Sequence, residues 1–184
     1  MILKNIPKIE LHCHLDGSVK AETVLAIAKA ENIELESYKF EDIRSSLSVS
    51  DQCTDLMAYL SCFQIPMAIM QSKESLRRVA YELILDCETD GVKYIEVRFA
   101  PFQHMAKGLT FNEVIESVLL GLKQGEEKTG VMSGLIACVM RHDSPERSVD
   151  LVNQAHTYFR KGIVAIDLAG NEHAFPPEIH EAAF

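Results

Sequence analysis

The sequence predicts an α/β protein that alternates strands and helices as βαβαβαβα and closes as part of a (β/α)8 barrel. Two periodicities and the make-up of the strand faces carry that reading. Segments rich in Val, Ile, Leu or Phe recur at 9–17, 92–101, 134–141 and 162–170, flanked by Gly or Pro as strands are. Between them, 20–31, 51–70, 72–90, 110–129 and 144–161 carry apolar residues at three- and four-residue spacing, the stripe of an amphipathic helix.

The first strand alternates Glu10, His12, His14 and Asp16 on one face with Ile9, Leu11, Cys13 and Leu15 on the other, because strand side chains point to opposite faces with period two. Residues 32–50 are polar and serine-rich and read as an excursion over the mouth of the fold. Gly91 suits the stop of the helix that precedes the second strand, where Glu96 and Arg98 oppose Ile95, Val97 and Phe99. Thr110 and Glu113 have capping-box spacing, and Gly130 ends that helix. Ser144 and Pro145 start the last long helix, and Asp167 lies opposite Ile166 and Leu168 on the fourth strand.

Alternating strands and helices imply a parallel sheet, either open and doubly wound or closed as a barrel. Strands of an open sheet covered on both sides read as continuous apolar runs. Here each charged face converges toward strand C-terminal ends, the place where barrel enzymes build their sites, so the expectation is a TIM-type (β/α)8 barrel. No Gly-x-Gly-x-x-Gly follows the first strand, which removes support for a dinucleotide site.

With 184 residues, 47% of them hydrophobic, one sizeable core is expected and one domain is the default. A net charge of −9 excludes a nucleic-acid-coating protein, because phosphate neutralisation needs clustered Lys and Arg. Five cysteines without a C-x-x-C pair read as a reduced, cytoplasmic compartment. No uninterrupted apolar run of membrane-spanning length is present, and no membrane association is expected.

His12 and His14, two apart on one strand, project from one face within reach of a single ion at about 2.0–2.1 Å per Zn–N bond. Such a pair is more often incidental when it stands alone. Here it sits near a strand's C-terminal end, with Asp16 on the same face and Gly17 allowing close backbone approach.

Those residues, Ile-Glu-Leu-His-Cys-His-Leu-Asp-Gly-Ser over 9–18, resemble the opening signature of the adenosine deaminase family of metal-dependent amidohydrolases. The likeness continues through 20–24, through Tyr-Ile-Glu-Val-Arg-Phe-Ala-Pro at 94–101, Met-Arg-His at 140–142 and Ile-Asp-Leu-Ala-Gly-Asn-Glu at 166–172, and so spans nearly the whole chain. It implies one Zn2+ ion with His12 and His14 among its ligands, and a purine nucleoside contacted by His14, Asp16 and Gly170. It also implies that the helix carrying Leu56, Met57, Leu60 and Phe63 is a hydrophobic lid; ordinary helix packing explains that stripe equally well. The implied reaction is hydrolytic deamination of adenosine and 2'-deoxyadenosine to inosine and ammonia, in which zinc provides a nucleophile by lowering the pKa of water and a general acid protonates the purine.

Glu96, Arg98, Arg141 and Asp167 are expected to be interior charge pairs, since buried charges persist only when paired. His142 is not expected to be a ligand, and His104, His156, His173 and His180 are assigned surface or pairing roles.

By the resemblance, the third zinc histidine, the catalytic glutamate, a histidine that assists the attacking water and the zinc aspartate belong to strands after the fourth. No such segment follows within these 184 residues, and a complete barrel needs about 250. The expectation is therefore that 1–184 is the N-terminal half of one barrel domain, with no catalytic residue of its own, weak zinc retention and no activity in isolation. Its open edges would pair with the missing C-terminal half or another chain.

Several alternatives remain open at this stage: an adenine, aminofutalosine or purine-nucleotide deaminase, or an inactive half-barrel serving as a binding or assembly module. Asp16 after His-x-His-Leu favours a nucleoside, because adenine-specific relatives tend to carry Glu there. Binuclear amidohydrolases bridge their metals through a fourth-strand lysine, which 162–170 lacks, and the cytidine-deaminase signature is also missing.

Overall fold

The computed structural model describes residues 6–49, 53 and 55–184, without the side chain of Met57. Four strands, β1 (Lys8–His14), β2 (Val92–Phe99), β3 (Met132–Met140) and β4 (Ile163–Ala169), form one sheet in the order β1-β2-β3-β4. Every neighbouring pair is parallel. That order never reverses, so each crossover advances one strand in the same direction. A doubly wound sheet needs a reversal in its strand order, whereas a barrel does not.

The helices between strands are made by local chemistry that the sequence displays. Thr110 caps α6 (Phe111–Thr129): its hydroxyl accepts from the Glu113 amide at 3.3 Å while Glu113 accepts from the Thr110 amide at 2.9 Å. The helix ends at Gly130 with φ 77°, a left-handed conformation that glycine adopts without Cβ strain. Ser144 caps α7 (Pro145–His156), with Pro145 at its first position. Ser72 and Ser75 form a reciprocal box at the start of α5 (Lys73–Thr89).

α5 and α6 run against each other closely. A Cβ on Gly121 would stand 2.1 Å from the Arg77 carbonyl oxygen, and one on Gly125 would stand 2.5 Å from the Ile84 Cβ. Gly121 therefore marks where the two helices touch backbone to backbone, and Gly125 where the Ile84 side chain packs directly on the α6 backbone.

The core lies between the outer sheet face and the helices, with Leu15, Val24, Leu76, Ile84, Val97 and Leu135 all buried. β3 is buried along most of its length, whereas the edge strands are not: Ile9 is 69% and Leu11 56% exposed on β1, and Val164 is 40% exposed on β4.

Three local expectations need correction. β1 stops at His14; Leu15 turns into the right-handed region and Asp16–Ser18 form a 3-10 turn, so Asp16 is not a strand residue. The single helix expected over 51–70 is two, α3 (Leu56–Ser61) and α4 (Gln64–Ile69), because Pro66 has no N–H to give to the carbonyl four residues back, at Cys62. Residues 51, 52 and 54 of that expected helix, and residue 50 of the polar excursion, lie outside the described residues. The polar excursion holds a helix, α2 (Phe40–Ser46), anchored by buried Ile43. The remaining helix, α1 (Ala21–Ala30), falls within the expected span.

Candidate active site

A cavity of about 750 Å3 opens at the C-terminal ends of the strands. β1 and its 3-10 turn contribute His14 and Asp16, the ends of β2 and β3 contribute Phe99, Cys138 and Met140, and the residues after β4 contribute Gly170 and Asn171. α3 and α4 cover it with Tyr59, Leu60, Gln64 and Met67, together with Phe63 between them.

The strand register sets the height of each polar group. His14 pairs with Arg98 across β1–β2, and Cys138 pairs with Asp167 across β3–β4. Arg98 is 5% exposed, so its guanidinium needs partners. It finds Asp167 as an ion pair and gives a 2.6 Å hydrogen bond from Nη1 to His12 Nε2. Its Nε is buried without an acceptor among the described residues. The interior charge pair expected of these residues is present between Arg98 and Asp167; Arg141 instead pairs with the exposed Glu172 at 3.2 Å, and Glu96, with no ion pair among the described residues, accepts from the Tyr94 hydroxyl at 2.9 Å.

The rings of His12 and His14 lie 5.7 Å apart, centroid to centroid. His14 faces the cavity, its edge against Phe63 at 5.7 Å and its Nδ1 3.7 Å from the Asp16 carboxylate. His12 does not line the cavity; it is exposed beside Arg98. Asp16 is 6% exposed and aimed into the cavity. Burial pushes the Cys138 thiol up to about 12, with Arg98 offsetting part of the rise, so this cavity-lining sulfur favours its protonated form.

Of the expected lid residues, Leu60 and Phe63 line the cavity, while Leu56 is 45% exposed in the first turn of α3 and lies off it. The Met57 side chain lies outside the described residues. Met67 and Gln64 line the cavity from α4, a contribution hidden by the helix break that Pro66 introduces. His142 lines the cavity and packs near Phe175, at 6.3 Å. His104 and His180 are both buried: His180 Nε2 donates to the Arg141 carbonyl at 3.0 Å and its Nδ1 accepts from Ser148 at 2.7 Å. The pairing role expected for these two holds and the surface role does not.

Two imidazoles on one strand suit zinc chemically, but a tetrahedral ion needs more donors. Among the described residues no three His, Cys, Asp or Glu side chains converge as a metal site, and Arg98 engages the Nε2 of His12. No helix among the described residues is long and apolar enough to cross a membrane.

Among solved structures, an adenine deaminase from Arthrobacter aurescens is similar, with 26% identity, a TM-score of 0.84, and coverage of 95% of this chain and 52% of that one. A Zn-bound amidohydrolase from Burkholderia ambifaria shares the fold at 22% identity and a TM-score of 0.82, over 98% of this chain and 49% of that one. Four parallel strands in sequential order, with a cavity at their C-terminal ends, thus define the amidohydrolase barrel class, of which these residues make about the first four units; among the described residues β4 is followed by a 3-10 helix, Pro177–Ala183, rather than an α-helix. The adenosine deaminase family model matches residues 7–184, and this chain belongs to that family.

Adenosine deaminases of Clostridium acetobutylicum and Clostridium kluyveri are 51% and 49% identical to it, over 98% and 100% of this chain. The chain spans about half the length of these relatives, 54% and 53%.

Proposed function

We propose that residues 1–184 form the N-terminal half of a zinc-dependent adenosine deaminase barrel, presenting the nucleoside-binding wall of its active site and two of its metal ligands. The observation that carries the proposal is the convergence of His14, Asp16 and Gly170 on one cavity under an apolar cover. A purine nucleoside has an apolar, stackable base and a hydroxyl-rich sugar. Phe63, Leu60 and Met67 suit the first and the buried Asp16 carboxylate suits the second.

Asp16 lies on a 3-10 turn whose backbone leaves β1, so its carboxylate reaches past His14 into the cavity rather than along the strand. Gly170 has φ 115°, and at such a bend it presents backbone, with no side chain, to a flat ring. The cover formed by α3 and α4 excludes water from the base. His12 and His14 would hold a zinc ion together with donors from outside these residues. When bound, zinc lowers the pKa of water enough to provide a nucleophile at neutral pH. The exposed edges of β1 and β4 pair with the complementary half of the barrel.

A chimera tests this reading: residues 1–184 are joined to the remainder of the Clostridium acetobutylicum relative. Ammonia release from adenosine and 2'-deoxyadenosine is expected, with loss of about a hundredfold or more in His14→Ala or Asp16→Ala, since each removes a group from the reacting pocket. A chimera that folds by circular dichroism yet turns over only adenine, or nothing, contradicts it.

A further inference from the structure

Two buried side chains outside the described machinery join the cover of the cavity to its base. Gln71, 7% exposed, follows α4 and reaches the turn after β2, the 3-10 segment Pro101–His104. Its Nε2 donates to the Met67 carbonyl at 2.8 Å and to the Gln103 carbonyl at 2.9 Å, and its Oε1 accepts from the Ala106 amide at 3.0 Å. Both amide protons and the oxygen are thereby used. From the opposite side His104, fully buried, donates from Nδ1 to the Met70 carbonyl at 2.9 Å, where α4 ends.

Met67 and Gln103 both line the cavity, one from the cover and one from the base. A single nitrogen atom bridges their carbonyls, so the spacing between those two walls follows from two hydrogen-bond lengths. His104 reinforces this from the base side. Among the described residues its buried Nε2 has no partner, so a loss of Met70 would leave both ring nitrogens unsatisfied in an apolar setting against Phe99, with ring centroids 5.4 Å apart. Parting the two elements strands several buried polar groups together, and a joint of this kind opens as a unit.

We propose that Gln71 and His104 form a two-sided clasp that holds the cover, residues 56–69, at a set distance from the turn after β2. They are positioning residues, and through Met67 they fix the width of the cavity offered to a ligand. The relevance of that width to a purine rests on the function proposed above, but the clasp itself does not.

Native-state hydrogen exchange on this chain reads it without any ligand. Two variants separate bonding from packing: His104→Leu keeps most of the buried volume without a donor, and His104→Asn keeps a donor near the Nδ1 position with less volume. Gln71→Met removes both donations in a side chain of similar length. In His104→Leu and Gln71→Met, amides of 58–69 are expected to exchange about tenfold faster, the size set by the loss of one or two net hydrogen bonds, while those of α5 and β2 keep their rates. His104→Asn is expected to restore slow exchange. Unchanged rates at 58–69 in both donor-free variants overturn the clasp, as does a uniform acceleration across the chain or an Asn variant that exchanges as fast as the Leu one. If His104→Leu does not fold, Gln71→Met alone decides by the same two criteria.

Discussion

His104 carries a titration signature as well as a hydrogen bond. Burial lowers its pKa below the usual histidine value of about 6.5, with Asp16 and the Met70 carbonyl opposing the shift only in part. The folded chain therefore holds this imidazole neutral at a pH where the unfolded chain already binds its proton, so stability falls as pH drops through about 6.5 toward the depressed value. Thermal midpoints of the wild type and His104→Asn, compared between pH 7.5 and pH 5.5, should converge with falling pH, because only the wild type has this proton to reject. The histidine pair on β1 makes a separate prediction. Two imidazoles, one already engaged by Arg98, form a weak zinc site, and dialysis against metal-free buffer is expected to leave well under one equivalent of zinc on this chain. Stoichiometric retention by monomer would show that the ligand set is complete without further donors.

Among individual residues, His12, His14, Asp16 and Gly170 were all legible in the sequence because they sit in contiguous motifs. The cavity receives three of them, and His12 stands beside Arg98 instead. Gln71 and His104 were not legible. Each acts on backbone far along the chain, over 32 to 35 residues, and a carbonyl acceptor leaves no residue-type signal.

At the scale of elements, α5 and α6 depend on backbone contact at Gly121. Gly121→Ala would add helix propensity, yet the new methyl would meet the Arg77 carbonyl oxygen at 2.1 Å. The helices must part, at a cost of about 1–3 kcal/mol for overpacking, well above the gain of about 1 kcal/mol from replacing glycine. Chemical denaturation should show a lower midpoint for this variant; an unchanged or higher one would mean that the pair tolerates separation. The long helices were legible because caps and periodicity agree, as at Thr110 with Glu113 and at Ser144 with Pro145. The apolar spacing over 51–70 continues through Pro66 and so predicts one helix, although the missing N–H divides it. Leu56 belongs to the same continuous pattern, yet it stands in the first turn of α3 and is 45% exposed, whereas Leu60, one turn further along the same helix, lines the cavity.

For the whole molecule, the barrel class was legible from strand faces: polar residues on one face of β1, β2 and β4 exclude a sheet covered on both sides. The sequential order of four parallel strands agrees. The extent of solvent exposure on β1 follows from the sheet's edges rather than from composition, since Ile9 and Leu11 are as apolar as the residues buried on β3. A molecule with such edges presents unpaired strand backbone to any partner able to add a parallel strand.

By the proposed function, His14, Asp16 and Gly170 together offer a purine nucleoside one wall of a binding cavity. Titrating adenosine into the isotopically labelled chain and following its amide resonances tests that claim without requiring turnover. Saturable shifts are expected at 14–17 and 169–171, with cytidine giving none and Asp16→Ala weakening the adenosine response about tenfold or more, the scale of a lost hydrogen bond to a charged group. Shifts confined to residues outside the cavity, or an adenosine response unaffected by Asp16→Ala, would contradict the account.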